Sequence, residues 1–494
     1  MVQRIFRRYP VKTQRLFEIM IPATSWLLIT FPLWLSFWHP AVVAYFIITF
    51  DIYWFFKSAT LAYYAIRSYL TMMAHTRMDW LKEAKTVSNW KDIHHVIIIP
   101  EYKEPYSILD RTIDNLVKQS FPLKNISIVL ATEKRDDEAE ETGRLLKQKY
   151  GHRFGNFWIT KHPILPGEIA GKSSNMAYAG KFVFNKCKKL GLDPALTTVT
   201  SADADAQLHP SYLSYLTHSF LTDPDRDFHF YQTGIMYYSN IWKVPLPIRV
   251  INTIGSMFSL SLLKQGKRLI NYSTYSLSLK TVAEVGFWSV DIIPEDYHLF
   301  FKTYFKKGEK VRAIPIFLPT LVQAAQSSTL RKTLVNQYEQ QKRWAWGVSD
   351  LPNVIRNYFL HPEISIIDRT TRLFYVLETH IVWPTNWFIL TLGSTLPTLV
   401  NPYFARTVLG HNLSQISSFI LTISAVLLLI VIIVDTKTRP KRPAHFSRWK
   451  VPFLFVQWLS LPVVSFLLSA LPGLDAHTRL MIGKRLEYRV TEKI

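Results

Sequence analysis

Apolar runs near both ends of the chain constrain its fold more than any other feature of the sequence. The first two runs cover residues 21–38 and 41–66, and the last three cover about 372–400, 416–435 and 451–473. Each approaches the roughly 20 residues that an α-helix needs to cross a hydrocarbon core of about 30 Å. The residues between the two groups have an ordinary mixed composition. We therefore expect an integral membrane protein with a large insert between its terminal helices.

The formal net charge of +22 is compatible with binding to nucleic acid, an anionic membrane surface or a phosphorylated substrate. Cations are concentrated beside the apolar runs, at Arg4, Arg7, Arg8, Lys12, Arg15, Lys437, Arg439, Lys441, Arg442, Arg448 and Lys450. This placement is typical of cytoplasmic juxtamembrane segments, so we expect contact with membrane lipids and no nucleic acid. If all three C-terminal runs cross the membrane, the basic C-terminal tail lies on the non-cytoplasmic side, against the usual placement of cations. The number of C-terminal spans therefore stays open.

Between residues 94 and 200, short β-branched runs alternate with amphipathic stretches. The runs cover residues 96–100, 126–131, 156–160 and 197–202. The stretches between them have helical periodicity at about 107–120, 137–150 and 173–190. This alternation predicts an α/β fold with a mostly parallel sheet covered on both faces. Ligands of such sheets bind at the carboxyl ends of the strands.

Acidic residues follow three of these runs. They are Glu101 and Glu104 after the first, Glu133 and Asp136 after the second, and Asp203 and Asp205 after the fourth. Two carboxylates separated by one residue can reach a divalent cation and a ribose hydroxyl together. Such oxygen ligands suit Mg²⁺ or Mn²⁺ bound with substrate phosphates. A D-x-D triplet also occurs by chance in surface loops, but its position directly after a strand favours a binding site.

A helix N-terminus after the third strand is a candidate phosphate site. Ser173 or Ser174 is expected to cap this helix. Its backbone N–H groups, together with the Lys172 ammonium, can hold a diphosphate. It is not a P-loop, because Pro166 stands where that motif requires glycine. The alternative is an ordinary capped helix with a solvated lysine.

Asp296 is a candidate general base. Its carboxylate could remove a proton from an attacking sugar hydroxyl. It follows Glu295, and an acidic pair of this kind is more often simply the start of a helix, where acids are favoured. Both interpretations stay open at this point.

Residues 329–348 have the pattern of a helix lying along a membrane surface. Gln340, Arg343 and Trp344 fall at positions i, i+3 and i+4, and therefore share one face. An Arg-Trp pair on such a helix usually serves as an anchor. Its place after a candidate donor site and a candidate base makes a catalytic role credible.

Taken in order, these motifs resemble those of the processive-type membrane glycosyltransferases of glycosyltransferase family 2. That family includes cellulose, chitin and hyaluronan synthases and also ceramide glucosyltransferases. The likeness covers residues 92–348 by motif and the flanking helices by arrangement. It implies a GT-A (Rossmann-like) catalytic domain that uses a nucleotide-sugar donor, with UDP as the expected nucleotide. It also implies a single inverting displacement.

The resemblance assigns roles to residues on the donor side. Tyr102 and Glu104 would approach the nucleoside. Asp203 and Asp205 would hold the nucleotide-sugar with its metal, and Asp205 would be the ligand of Mg²⁺ or Mn²⁺. Lys172 matches a lysine that is often found near the phosphates.

The same resemblance makes Asp296 the base and places Gln340, Arg343 and Trp344 over the donor diphosphate and the acceptor. Two departures from the family pattern stand out. Pro294 replaces the usual threonine before the acidic pair. Alanine and threonine at 131–132 replace an Asp-Asp pair, so the carboxylate on the nucleobase side would be Glu133 or Asp136.

We therefore expect an enzyme that moves a sugar to a growing polysaccharide, with a membrane lipid as the alternative acceptor. A transporter or a non-catalytic scaffold would explain the helices but not the ordered carboxylates. The expected divisions are a basic N-terminus with a membrane hairpin (1–70), a cytoplasmic catalytic domain (71–328), interfacial helices (329–368), C-terminal membrane helices (369–474) and a basic tail (475–494).

Overall fold

A computed structural model describes residues 2–444, 447, 449, 451–487 and 491–492. Among these residues lies an eight-stranded sheet with strand order β3-β2-β1-β4-β7-β6-β8-β5. Its strands are β1 (His94–Pro100), β2 (Ile126–Glu133), β3 (Asn156–His162), β4 (Thr197–Ser201), β5 (Gln207–Leu208), β6 (His229–Met236), β7 (Tyr275–Ser278) and β8 (Arg312–Leu321).

The first half of the sheet is parallel, because β3, β2, β1 and β4 all run in the same direction. β7 is antiparallel to both β4 and β6, whereas β6 and β8 are parallel and β5 is antiparallel to β8. The predicted fold class, α/β with a mostly parallel sheet between apolar helices, is confirmed. The four predicted strands are present, and β2 continues two residues further than expected.

Strands β1, β2 and β4 are buried on both faces, which explains their nearly continuous β-branched sequences. Alternate residues enter two separate cores. Val96 and Ile98 of β1 pack into one core, and Ile97 and Ile99 pack into the other. This two-sided burial is what a helix-covered parallel sheet requires.

Helices before the sheet are α1 (Val2–Arg8), α2 (Pro10–Leu35), α3 (Pro40–His75) and α4 (Trp80–Lys85). Those between β1 and residue 360 are α5 (Tyr106–Val117), α6 (Ala139–Tyr150), α7 (Lys172–Lys189), α8 (Tyr212–Thr222), α9 (Leu246–Leu262), α10 (Leu279–Glu284), α11 (Glu295–Lys307), α12 (Leu330–Ala345) and α13 (Leu351–Leu360). The last are α14 (Ile366–Leu392), α15 (Leu396–Val400), α16 (Pro402–Ala405), α17 (Val408–Thr438), α18 (Phe453–Val456), α19 (Leu461–Ser465) and α20 (Leu471–Met481).

The predicted serine cap of α7 is wrong. The residue before the helix is Gly171, whose φ of +147° suits glycine, and no side chain caps the helix. Ser173 instead donates to the carbonyl of Ser289, and Ser174 donates to the carbonyl of Ile169. The helix begins at Lys172, two residues before the start that a Ser173 cap would require, so the serine hydroxyls fasten it to neighbouring loops.

In the described part of the chain, four helical segments are long and apolar enough to cross a membrane: Pro10–Leu35, Pro40–His75, Val408–Thr438 and Phe453–Met481. The last of these is interrupted by a π-helical turn at Phe466–Ala470, in a stretch that also contains two prolines.

Both ends of the segment Phe453–Met481 lie beside the catalytic domain. Its first residues border the end of α17, where Asp435 accepts a hydrogen bond from Tyr238 at 2.6 Å. At its other end, Arg15 donates to the carbonyl of Leu480 at 2.8 Å. The basic tail therefore starts on the same side as the basic N-terminus. This arrangement removes the conflict that three full C-terminal crossings would create.

Buried ion pairs fasten the catalytic domain to the apolar helices. Glu378 of α14 lies 2.7 Å from Lys57 of α3 and also pairs with Arg268. Asp368, at the start of α14, lies 2.6 Å from Lys267. Because Lys267 and Arg268 belong to one turn of the catalytic domain, this turn fixes the domain against α3 and α14.

Candidate functional site

The carboxyl ends of β1, β2 and β4 lie side by side at one edge of the sheet. Ile98 pairs with Ser201, and Pro100 pairs with Ala131. Parallel strands in this register deliver the loops that follow them to one place. The structure thus brings together the predicted strand-end acids.

An arginine covers the aromatic ring that follows β1. The guanidinium carbon of Arg135 lies 3.8 Å from the ring centroid of Tyr102, and its Nε donates to Glu133 at 2.5 Å. Glu133 is 1% exposed, so its contact with the site runs through Arg135. Asp136 instead accepts the backbone N–H of Lys103 at 2.6 Å. Sequence reasoning missed Arg135, although it lies between the two candidate carboxylates.

Glu101 is the most isolated carboxyl group of this edge. It is 4% exposed, and its Oε1 has no hydrogen-bond partner among the described residues. Burial, followed by the charges of Asp136 and Glu104, raises the pKa of Glu101 to about 8. Glu104, predicted to approach the nucleoside, is half-buried beside it.

Lys172 lies at the centre of a carboxylate cluster. Its Nζ is 2.7 Å from Asp203 Oδ1, 2.8 Å from Glu295 Oε1 and 3.0 Å from the carbonyl oxygen of Ser273. The ammonium donates hydrogen bonds to Asp203 and to the carbonyl of Ser273, and Glu295 adds an ion-pair contact. Burial disfavours the charge, but Asp203 and Glu295 outweigh it and hold the pKa of Lys172 well above its ordinary value. Lys172 therefore joins the D-x-D segment to the acidic pair.

Ser273 connects the same groups through its backbone and its hydroxyl. Its N–H donates to Asp296 Oδ2 at 2.9 Å, its hydroxyl donates to Asp203, and its carbonyl accepts from Lys172. Its φ of +57° lies in the left-handed region, which is costly for a residue other than glycine. The sequence marks residues 271–276 only as a polar-aromatic loop, because no local pattern encodes such contacts.

Asp296 and Glu295 are the first residues of α11, as the helix-start interpretation expects, and both also lie in the cluster. Asp296 is half-buried, and its Oδ1 accepts the N–H of Tyr297 at 2.8 Å. Glu295 is 6% exposed, and burial raises its pKa to about 7 although Lys172 opposes the shift. The two neighbours therefore occupy different environments.

Asp205 lies deeper than Asp203. It is 1% exposed, and its Oδ2 accepts the N–H of Gln323 at 2.6 Å. Within the described residues, no group of three or more His, Cys, Asp or Glu side chains is arranged to hold a metal ion. Two carboxylates do fit a hard divalent cation that takes its other ligands from substrate phosphates and water.

The predicted face of α12 reaches the cluster indirectly. Gln340 is 5% exposed and accepts from Gln337 at 3.3 Å, so this hydrogen bond lies within the helix and not at the cluster. Arg343 donates to the hydroxyl of Thr491 at 3.4 Å. The ring centroids of Trp344 and Tyr237 are 5.7 Å apart.

Tyr237, which follows β6, connects α12 with the D-x-D segment. Burial raises its pKa, the charges of Asp203 and Asp205 add to this, and Arg343 opposes it. Its phenol is therefore within electrostatic reach of both segments. Sequence reasoning missed Tyr237, because nothing in the sequence predicted that β6 lies next to β7 and β8.

Residues 198–434 match the family model described as glycosyl transferase family group 2. This stretch is similar to the glycosyltransferase domains that the model describes. It covers just under half of the chain and includes D-x-D, the acidic pair and the Gln-Arg-Trp face of α12. The glycosyltransferase activity expected from the motifs is thereby confirmed.

No curated protein sequence matches the chain significantly. Among solved structures, the mannosyltransferase PcManGT from Pyrobaculum calidifontis with GDP-Man and Mn²⁺ is 13% identical, with a TM-score of 0.43, over 76% of this chain and 99% of its own. S. aureus TarS 1-349 with UDP-GlcNAc is 11% identical, with a TM-score of 0.38, over 71% and 93%. At these TM-scores, the fold assignment rests on the sheet topology itself.

Proposed function

We propose that the protein transfers a sugar from a nucleotide-sugar, with UDP as the expected nucleotide, to a membrane-associated acceptor by one inverting displacement. The observation that carries this proposal is the cluster around Lys172 and Ser273. It joins the D-x-D carboxylate Asp203 to the acidic pair that contains Asp296. Donor-binding and base residues from segments about 90 residues apart are thus held as one unit.

Asp296 is the proposed base. Its carboxylate takes the proton of the acceptor hydroxyl while that oxygen forms a bond to the anomeric carbon. The bond from that carbon to the phosphate oxygen breaks, and the nucleoside diphosphate leaves with the electron pair. Hydrogen bonds from the backbone N–H groups of Ser273 and Tyr297 orient the carboxylate.

Arg343 and the D-x-D segment act on the leaving group. The Arg343 guanidinium can stabilise negative charge on the diphosphate. Asp203 and Asp205 would hold Mg²⁺ or Mn²⁺, with Asp205 as the main ligand, and the cation would neutralise developing phosphate charge. Lys172 holds Asp203 and Glu295 in position, because its ammonium hydrogen-bonds to Asp203 and to the carbonyl of Ser273 and forms an ion pair with Glu295.

The nucleobase side of the donor site consists of Tyr102, Glu104 and Glu133. Because Arg135 lies flat on Tyr102, a base would stack on the guanidinium or displace it from the ring. Glu133 then contributes by orienting Arg135.

For the acceptor, we propose a growing polysaccharide, as in the processive enzymes that the motifs resemble. A lipid acceptor is the second candidate, and a cavity beside the end of α17 favours it. We also propose that the catalytic domain (71–328) is cytoplasmic and that residues 329–368 lie at the membrane surface. The cationic segments beside the apolar helices support this orientation.

The test uses the purified full-length protein in lipid. It is incubated with a panel of labelled nucleotide-sugars, and the lipid-extractable product is separated from the polymer. Asp296→Asn should abolish transfer while nucleotide-sugar binding survives, and Glu284→Gln, an exposed acid outside the site, serves as the control. Retained turnover in Asp296→Asn would remove Asp296 from the role of base.

A further inference from the structure

A cavity of about 410 Å³ lies where the end of α17 meets α18 and the loop after β6. One part of its wall is cationic, with Lys437, Lys441 and Arg442, and another is apolar, with Leu454 and Phe455. We propose that this cavity binds the phosphate-bearing headgroup of a membrane lipid. The inference does not depend on the proposed reaction.

This region presents exposed cations that an anionic ligand could contact. Arg439 is neutralised by Asp435, whose Oδ2 lies 2.7 Å from the guanidinium. Among the described residues, no carboxylate forms an ion pair with Lys437, Lys441 or Arg442. The sequence from 436 to 474 contains no aspartate or glutamate at all. A bound phosphate would supply the missing negative charge.

Gln457 is a second, independent sign of a ligand. Its side chain lines the cavity and is 2% exposed. Neither its amide nitrogen nor its amide oxygen has a hydrogen-bond partner among the described residues. Leaving both atoms unpaired in a buried position costs free energy, and a polar ligand in the cavity would satisfy them.

The position of the cavity favours a lipid over a free anion. α17 is one of the four segments able to cross a membrane, so its end lies at the level expected for lipid headgroups. Trp242 and Trp458 border the cavity, and tryptophan is typical of this interfacial level. The apolar wall at Leu454 and Phe455 would contact the first methylene groups of an acyl or prenyl chain.

A chain of contacts connects the cavity to the Gln-Arg-Trp face of α12. Asp435 accepts from the hydroxyl of Tyr238 at 2.6 Å, and Tyr238 is the next residue after Tyr237. Tyr237 packs against Trp344 of the Gln-Arg-Trp face. A lipid phosphate bound by Lys437, Lys441 and Arg442 would therefore lie beside the Asp435–Tyr238 hydrogen bond, which leads to the segment that carries Tyr237.

The experiment measures anionic lipid binding to full-length protein. The protein is placed in vesicles of phosphatidylcholine alone or mixed with phosphatidylglycerol, and bound lipid is counted by native mass spectrometry after extraction. The double variant Lys441→Gln/Arg442→Gln is compared with Arg4→Gln/Arg8→Gln. Both variants remove two exposed cations from juxtamembrane segments. Turnover is not needed for this readout.

We expect phosphatidylglycerol retention to fall roughly 10-fold or more in the cavity variant, because hydrogen bonds to a bound phosphate are lost, and to fall clearly less in the control, whose cations attract a lipid surface only diffusely. Equal losses in both variants would mean diffuse surface attraction and would overturn the proposal. Unchanged retention in the cavity variant would also overturn it. Displacement of the lipid by inorganic phosphate alone, with no effect of Leu454→Gln, would identify a free-anion site instead.

Discussion

Replacing Lys172 with methionine should destabilise the protein as well as impair transfer. Its side chain is 11% exposed and lies within 2.8 Å of both Asp203 and Glu295. Removing one partner of a buried ion pair leaves uncompensated charge and costs roughly 3–5 kcal/mol. At about 2 °C per kcal/mol for a large domain, the expected loss in Tm is roughly 6–10 °C near neutral pH.

The loss should depend on pH in a defined direction. Burial raises the pKa of Glu295 from its ordinary value of 4.5 to about 7. The stability that its protonated form contributes is therefore fully present below about pH 4.5 and is lost as pH rises through about 7. Without the lysine, Glu295 should take up a proton more readily. The difference in Tm between wild type and Lys172→Met should therefore shrink as pH falls below 7.

The assay is thermal unfolding followed by tryptophan fluorescence, in buffer containing a chelator, from pH 5 to pH 9. Lys302→Met is the matched control. Lys302 is half-buried and donates to the carbonyl of Phe287 at 2.8 Å, but it forms no ion pair with a carboxylate in the described residues. An unchanged Tm in Lys172→Met, accompanied only by weaker donor binding, would refute the linking role. It would show instead that Lys172 is available to the diphosphate.

Three further outcomes are expected. Ser273→Ala and Ser273→Gly should lose turnover to the same extent, because both remove the hydroxyl on Asp203. The glycine variant should unfold at a higher temperature than the alanine variant, because glycine tolerates a φ of +57°. Wild-type turnover in either variant would contradict the role of the hydroxyl. In the wild type, stability should fall as pH rises from about 4.5 to 8, because the raised pKa of Glu101 makes folding favour the protonated acid. Glu101→Gln cannot ionise, so this fall should disappear. Thermal unfolding measured against pH checks the difference. Asp205→Asn should bind nucleotide-sugar with an affinity no longer increased by Mn²⁺ or Mg²⁺, and calorimetry with and without chelator tests it.

The parallel half of the sheet could be predicted from the sequence because its strands are buried on both faces. Two-sided burial produces uninterrupted runs such as residues 96–100 and 126–131, which are visible without knowledge of their partners. The second half is different. β7 has only four residues, Tyr275–Ser278, which alternate between hydroxyl and apolar side chains. Its pairing with β4 and β6 is a tertiary property, and the sequence there is indistinguishable from a loop.

The same limit applies to the site. Residues in recognisable motifs, such as Asp203 and Asp296, could be found because their spacing is local. Their connection through Lys172 and Ser273 joins segments about 20 to 120 residues apart. No short pattern records a left-handed serine or a lysine in contact with three protein oxygens. Structure was therefore needed to see that Lys172 serves the carboxylates.

For the acidic pair, pKa and accessibility favour different residues as the general base. With a pKa of about 7, Glu295 is closer than an ordinary aspartate to the value that favours a general base at neutral pH. Yet Glu295 is 6% exposed and lies against Lys172, so an acceptor hydroxyl could reach it only if this ion pair separated. Asp296 is half-buried, and its two oxygens are oriented by backbone N–H groups that leave lone pairs available. Access therefore favours Asp296 as the proposed base, and the raised pKa of Glu295 is a consequence of its burial inside the cluster.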